Sequence, residues 1–309
     1  MMRKNITYIL IVTAFLPHVL RADDGHGGYA GAFLKIGAGA RALAMGSAFT
    51  AVADDHSAFI YNPAGVALIM GQDVGLSYAL MSFDRRLGFI GFVTELKPNG
   101  GLGLGWINAG DSNIDGRDTN GQPTGDLSYS DNAFFFSFAQ QIGRYGALGI
   151  GMRYLYQKLE DQTAKGFGID AGARLHILPQ LWIGGVVQNI NAKYTWNTSY
   201  WERETTTKDE VPLQFRMGSA YRLLQNKLLL AIDVGKNTEQ DVAFYGGGEY
   251  RVNGQFSLRA GLKDGELTAG GSFLQFVQWG DMRIDYTFIA HMRGLGSTHL
   301  FSLGYRFSD

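Results

Sequence analysis

The sequence predicts an all-β chain that closes into a transmembrane outer-membrane β-barrel of about 14 antiparallel strands, its lumen occupied by a plug of its own N-terminal residues. Three observations lead there. Beyond residue 72 the chain breaks into runs of about 10 to 12 residues that alternate apolar and polar, separated by turn chemistry. Before residue 72 it is rich in Ala and Gly and has no such period. No segment reaches the roughly 20 apolar residues of a spanning helix, so a membrane location requires a closed barrel.

Composition narrows the class. The chain has 309 residues, a formal net charge of -1 and no cysteine, which leaves no basic face for nucleic acid, no disulfide framework and no thiolate chemistry. Glycine is abundant at 43 residues and proline scarce at 6, the reverse of a disordered chain. Hydrophobic residues make up 46% of the sequence, yet mean hydropathy is near zero, as expected when apolar positions alternate with polar ones.

In chain order, Met1-Met2-Arg3-Lys4, the apolar run from Ile6 to Leu16 and the small residue Ala22 read as a signal peptide over residues 1–22. The plug follows over residues 23–72. Its small side chains allow close approach of backbone to backbone. Asp54 or Asp55 can cap a helical turn carrying Ser57 to Ile60, and Asn62 before Pro63 is a cap followed by proline at the first helical position.

The run Gly39-Ala40-Arg41-Ala42 to Met45-Gly46, then Ala53-Asp54-Asp55 with Ser57-Ala58, then Asn62-Pro63-Ala64-Gly65 resembles the N-terminal signature of the PorV/PorQ family within the FadL-like outer-membrane proteins. The resemblance implies a fourteen-stranded barrel with the segment as a hatch, with Arg41, Met45, Gly46, Asp54, Asp55, Asn62, Pro63 and Ala64 as its marked residues. The barrel itself is expected over residues 73–309.

Strands are expected to begin near Val74, Leu87, Gly101, Ser128, Ala147, Gly166, Leu181, Val211, Lys227, Val242, Phe256, Leu267, Met282 and Thr298. In Phe167 to Ile177 the odd positions are apolar, whereas Gly168, Asp170, Gly172, Arg174 and His176 share the other face. If both chain ends lie on the periplasmic side, the turns there are all short. The long polar stretches Gly110 to Asp126 and Asn191 to Glu210 then fall outside as loops. Trp182 and Trp279 are expected near one membrane interface, and Trp106, Trp196 and Trp201 near or beyond the other.

The same phase turns Arg153, Asp170, Arg174, Arg216, Arg222, Asp233, Glu249, Arg251, Arg259, Lys263, Arg283, Asp285 and Arg306 toward the lumen. A charge facing hydrocarbon at mid-depth costs about 2 to 4 kcal/mol, so their common inward phase supports the barrel. They are expected to form ion pairs between strands and to the plug, and one of Asp54 and Asp55 is expected to meet a lumen arginine.

No enzyme is expected. His18, His26, His56, His176, His291 and His299 show no metal-ligand spacing, and the glycine-rich pieces do not open a phosphate-binding helix, so neither cofactor nor metal is implied. Three functions remain open. The resemblance implies either passive passage of small hydrophobic compounds across the outer membrane or an accessory barrel of a type IX secretion machine that binds cargo or a translocon partner. The third is a porin-like structural barrel. For the first, Gly246 to Gly248 and Gly270-Gly271 are candidate places for a gap in the wall. The tight first outer turn at Asp84-Arg85 departs from long-chain fatty acid transporters, which have large outer loops.

Overall fold

The computed structural model describes residues 28–197, 207–291 and 296–307. The expected signal peptide and residues 198–206, with Trp201, lie outside the described residues. The first strands are β1 (Gln72–Leu80), β2 (Arg86–Leu96), β3 (Gly100–Arg117), β4 (Pro123–Ile142), β5 (Gly146–Leu159), β6 (Gln162–Leu178), β7 (Leu181–Asn197) and the short β8 (Lys208–Glu210). The remainder are β9 (Gln214–Leu223), β10 (Leu228–Asn237), β11 (Ala243–Arg251), β12 (Phe256–Lys263), β13 (Glu266–Val277), β14 (Gly280–Ala290) and β15 (Ser297–Phe307).

All pairings are antiparallel, and the sheet closes on itself. β1 pairs with β2 on one side and with β15 on the other, from Gln72 opposite Phe307 to Leu80 opposite His299. β6 pairs with β7, which completes the ring. β8 lies only against the outer reach of β7, so among the described residues fourteen strands form the barrel. Closure removes the unpaired strand edge that lipid cannot satisfy.

The expected strand starts fall within these strands or just before them; Val211 precedes β9, which begins at Gln214. Two of the expected loops are corrected. Within Gly110 to Asp126, β3 and β4 continue as a paired hairpin to Arg117 and Pro123, with bulges near Asp111 and Gly116. Within Asn191 to Glu210, β7 runs on to Asn197 and carries β8. Beyond the lipid a strand needs no apolar face, so a polar stretch can pair without the alternation by which strands are recognised. Trp106 is a second correction. It lies mid-wall opposite Ile90 and stacks on Phe134 at 6.0 Å between ring centroids, because β3 does not end where its polar residues begin.

Phase is clearest in β10. Leu229, Ala231, Asp233 and Gly235 face in, whereas Leu230, Ile232 and Val234 are exposed. Together with Leu76, Ile90, Phe136, Ile150 and Leu303 on other strands, these side chains form an apolar belt suited to lipid. Ile232→Arg is expected to cost about 2–4 kcal/mol of stability in vesicles. An unchanged urea midpoint would show that this face does not meet hydrocarbon.

Candidate functional site

Residues 28–71 lie against the inward faces of the strands, from the rim where β3 and β4 form their extended hairpin (the hairpin rim) to the opposite rim, where residues 97–99, 143–145 and 252–255 link the strands (the tight-turn rim). They form a 3-10 turn at Ala32–Ile36, helix α1 (Ala40–Ala44), helix α2 (Ala58–Tyr61) and a second 3-10 turn at Pro63–Leu68. Asn62 is extended and accepts a hydrogen bond from the Ala64 N–H at 3.1 Å, which with Pro63 starts the last turn. Asp55 caps the turn that leads into α2. Ser57 precedes the helix, and Asp55 accepts from the Ser57 N–H at 2.9 Å and its hydroxyl at 2.6 Å.

The wall receives this backbone at glycines. A Cβ on Gly247 would stand 2.2 Å from the Met45 carbonyl oxygen, and one on Gly261 would stand 2.3 Å from the Gly46 nitrogen. Gly101 meets Val66, Gly149 meets Ala64 and Gly184 meets Thr50 in the same way. Gly270 likewise backs onto Ala44. The candidate wall gaps at Gly246 to Gly248 and Gly270-Gly271 are therefore corrected: the strand ladder is continuous through both, and their inward glycines are sockets for the segment.

Polar wall residues hold the segment's free backbone groups. The Thr268 hydroxyl donates to the Ala44 carbonyl at 3.0 Å and accepts from the Gly46 N–H at 3.1 Å. The Asp233 carboxylate accepts from Phe49 N–H, Thr50 N–H and the Thr50 hydroxyl, while Arg216 stands 3.4 Å from it and stacks over Tyr245. Arg174 donates to the Ala51 carbonyl at 2.6 Å, and Gln188 donates to that of Ile60 at 2.7 Å. Near the hairpin rim Lys263 donates to the Ile36 carbonyl, and Lys35 pairs with Asp264 at 3.1 Å. Apart from the exposed Lys35–Asp264 pair, these bonds satisfy groups that would otherwise be buried or half-buried without a partner.

Charges gather where the segment faces β11 to β15. Arg41 donates to Glu249 at 2.8 and 3.2 Å and meets Asp54 and Asp55. Arg259 joins Glu249 at 2.6 Å to Asp285 at 2.9 Å, and Arg283 joins Asp285 at 2.8 Å to Asp55 at 3.4 Å. Arg222 stands 3.6 Å from Asp54. Arg306 binds Asp73 and the Asp54 carbonyl, and His56 Nδ1 lies 2.9 Å from Asp73. A separate cluster joins Arg153 to Asp170 and Asn189. Arg251 is exposed at the tight-turn rim and joins neither cluster.

Burial alone would raise the Asp55 carboxyl, but His56, Arg283 and Arg41, with the Ser57 hydroxyl, hold it well below the usual carboxylate range. A depressed carboxyl stabilises the folded state fully above its unfolded value, about 3.9. That contribution is lost as pH falls further, through the lower folded value. The segment is accordingly expected to stay pepsin-resistant down to about pH 4 and to become cleavable only below it. Release between pH 5 and 7 would contradict this.

Two cavities flank the segment. One of about 30 Å³ lies at the hairpin rim, between Tyr29, Leu34, Val211, Pro212 and Tyr245. The other, about 500 Å³, lies under the charge cluster at the tight-turn rim. Beside the first, β7 bulges twice against β6, and Asn189 and Asn191 take positive φ. The bulge turns Gln188 and Asn189 inward, where Asn189 donates to the Pro212 carbonyl at 2.9 Å. Asp73, Gln188, Asn189 and Thr268 were not foreseen as site residues. Asp73 shares the inward phase of Gly75 and Ser77, a usable signal, whereas the bulge residues leave none. Among the described residues no group of three His, Asp or Glu is placed to hold a metal.

The monoaromatic hydrocarbon channel CymD matches 91% of this chain and 99% of its own at 13% identity, with a TM-score of 0.63. The Pseudomonas putida toluene transporter TodX matches 87% and 96% at 13% identity with a TM-score of 0.59. A Pseudomonas aeruginosa FadL homologue matches 84% and 95%, also at 13% identity, with a TM-score of 0.59. The fold is that of FadL-like channels. A sequence-family profile described as an uncharacterised protein family (UPF0164) matches residues 23–122. No curated protein matches the chain.

Proposed function

We propose that the chain is an outer-membrane channel for small hydrophobic compounds, with residues 28–71 as its hatch. The observation that supports the reading is a closed barrel, similar in fold over nearly its full length to hydrocarbon channels, whose inward glycines and charged side chains contact residues 28–71 of the same chain. A filled lumen bars water and ions, as suits a solute that leaves water for an apolar path.

Entry at the hairpin rim, beside Tyr29, Leu34, Val211 and Tyr245, fits this reading. Neither cavity is an apolar path of acyl-chain size, so passage requires movement. The double bulge of β7 beside the hairpin-rim cavity is a place where the wall departs from a regular ladder, and it replaces the glycine-rich segments as the candidate exit. The PorV/PorQ likeness applies to the N-terminal motif. A secretion partner has no named neighbour behind it, and an open porin does not fit the filled lumen.

The test is uptake of radiolabelled toluene by bacterial cells with an intact outer membrane, with and without the expressed protein. Faster, saturable uptake is expected. Uptake equal to that of cells lacking the protein would reject the reading.

A further inference from the structure

The cavity at the tight-turn rim does not suit an apolar solute. At this rim the lumen is divided. The 3-10 turn Pro63–Leu68 packs against β2 to β6, while the side bounded by β9 to β15 stays open with a volume of about 500 Å³. Its roof is the Arg41, Asp54 and Glu249 cluster, where each charge has a partner.

Lower on the wall the balance differs. Arg251 and Lys227 line the cavity and are exposed, and neither side chain has an ion pair or hydrogen bond among the described residues. They sit side by side, since the Arg251 N–H donates to the Lys227 carbonyl at 2.8 Å. Arg222, 37% exposed, faces the same space with one weak partner, Asp54 at 3.6 Å, and its guanidinium lies 4.8 Å from the Trp182 ring. Gln255 and Ser257 add hydrogen-bonding groups from β12 and the turn before it. Asp281, across the cavity, is an opposing acid without an ion pair among the described residues. Two neighbouring cations held apart from acids, with a third close by, form a fork suited to a multivalent anion.

We propose that this vestibule binds a small multivalent anion, of the carboxylate or phosphate class, through Arg251, Lys227 and Arg222. The site is independent of the hydrocarbon reading, because it uses no apolar surface and no passage through the lumen. Binding draws Arg222 toward the anion and away from Trp182 and Asp54, so Trp182 reports it.

The test titrates the full chain in detergent micelles, at low salt, with inorganic phosphate and separately with citrate, following tryptophan emission and heat of binding. A saturable change is expected with at least one of the two, and which one responds separates phosphate from carboxylate. The emission change should vanish in Trp182→Phe while the heat remains. The Arg251→Ala, Lys227→Ala double variant should weaken binding at least about tenfold, and Asp281→Asn should tighten it. Heat-modifiable gel migration checks that each variant is folded. No saturable heat with either anion, or equal affinity in the folded double variant, would overturn the proposal.

Discussion

Gly247→Val is expected to drive the N-terminal segment out of its seat while the barrel stays closed. The β-carbon would be 2.2 Å from the Met45 carbonyl oxygen and 2.5 Å from its carbon, both backbone atoms that cannot rotate away. Gly261, paired with Gly247 on the neighbouring strand, lies against the same Met45–Gly46 peptide, so a shift along the wall does not relieve the clash. Overpacking costs about 1–3 kcal/mol in ordinary cores, and a clash with backbone atoms rather than with a rotatable side chain puts this variant at the upper end. A cost of about 3 kcal/mol corresponds to roughly a hundredfold rise in the population with the segment displaced. Protease cleavage within residues 28–71 of the reconstituted protein measures it. Gly246 provides the control, because it faces outward with nothing within 4 Å of a β-carbon. Gly246→Ala should leave the cleavage rate unchanged, and equal effects at both positions would show that the segment does not rest on this wall.

Arg41→Ala is expected to be comparably severe for a different reason. Its guanidinium is the common partner of Glu249, Asp54 and Asp55, and its side chain is 10% exposed. Burial alone would lower its pKa, but Asp54 and Glu249 raise it well above the usual arginine value, so it is charged throughout the accessible pH range. Removing one member of a buried ion pair costs about 3–5 kcal/mol, because the remaining charges are left unpaired. Arg259 still holds Glu249, which places the effect at the lower end. Arg41→Lys keeps the charge but loses the planar fork and should fall between. Arg251→Ala removes an exposed arginine whose side chain has no partner among the described residues, and it should change stability by less than about 0.5 kcal/mol. Chemical unfolding in vesicles ranks the three. A stability for Arg41→Ala equal to that of Arg251→Ala would mean that the cluster does not hold the segment.

The parts of this arrangement that were legible in the sequence share one physical basis. Asp233, Glu249, Arg259 and Asp285 could be assigned to the lumen because a charge on the lipid face is too costly to keep, so their phase fixed the phase of whole strands. Closure followed from the absence of any other way to satisfy strand edges in lipid. Glycine gave no such leverage. Gly247 and Gly270 lack a side chain, and that lack suits a gap in a wall and a backbone socket equally well. The Gly110 to Asp126 stretch was misleading because pairing outside lipid leaves no alternation to detect. The β7 bulge at Gln188 and Asn189 depends on long-range contacts with Asp170, Arg153 and Pro212, which local pattern does not encode. The Asp54 and Asp55 positions were visible as acids facing an arginine-rich wall, but the interposed role of Arg41, within the segment itself, was not.

Single-channel recording of the full-length wild-type chain in a planar bilayer tests most directly whether the lumen is closed by its own N-terminal residues. A baseline without a steady ion conductance is predicted for the wild type, with conducting events appearing in Arg41→Ala. A stable open-pore conductance in the wild-type protein, unchanged by the Arg41 substitution, would contradict it.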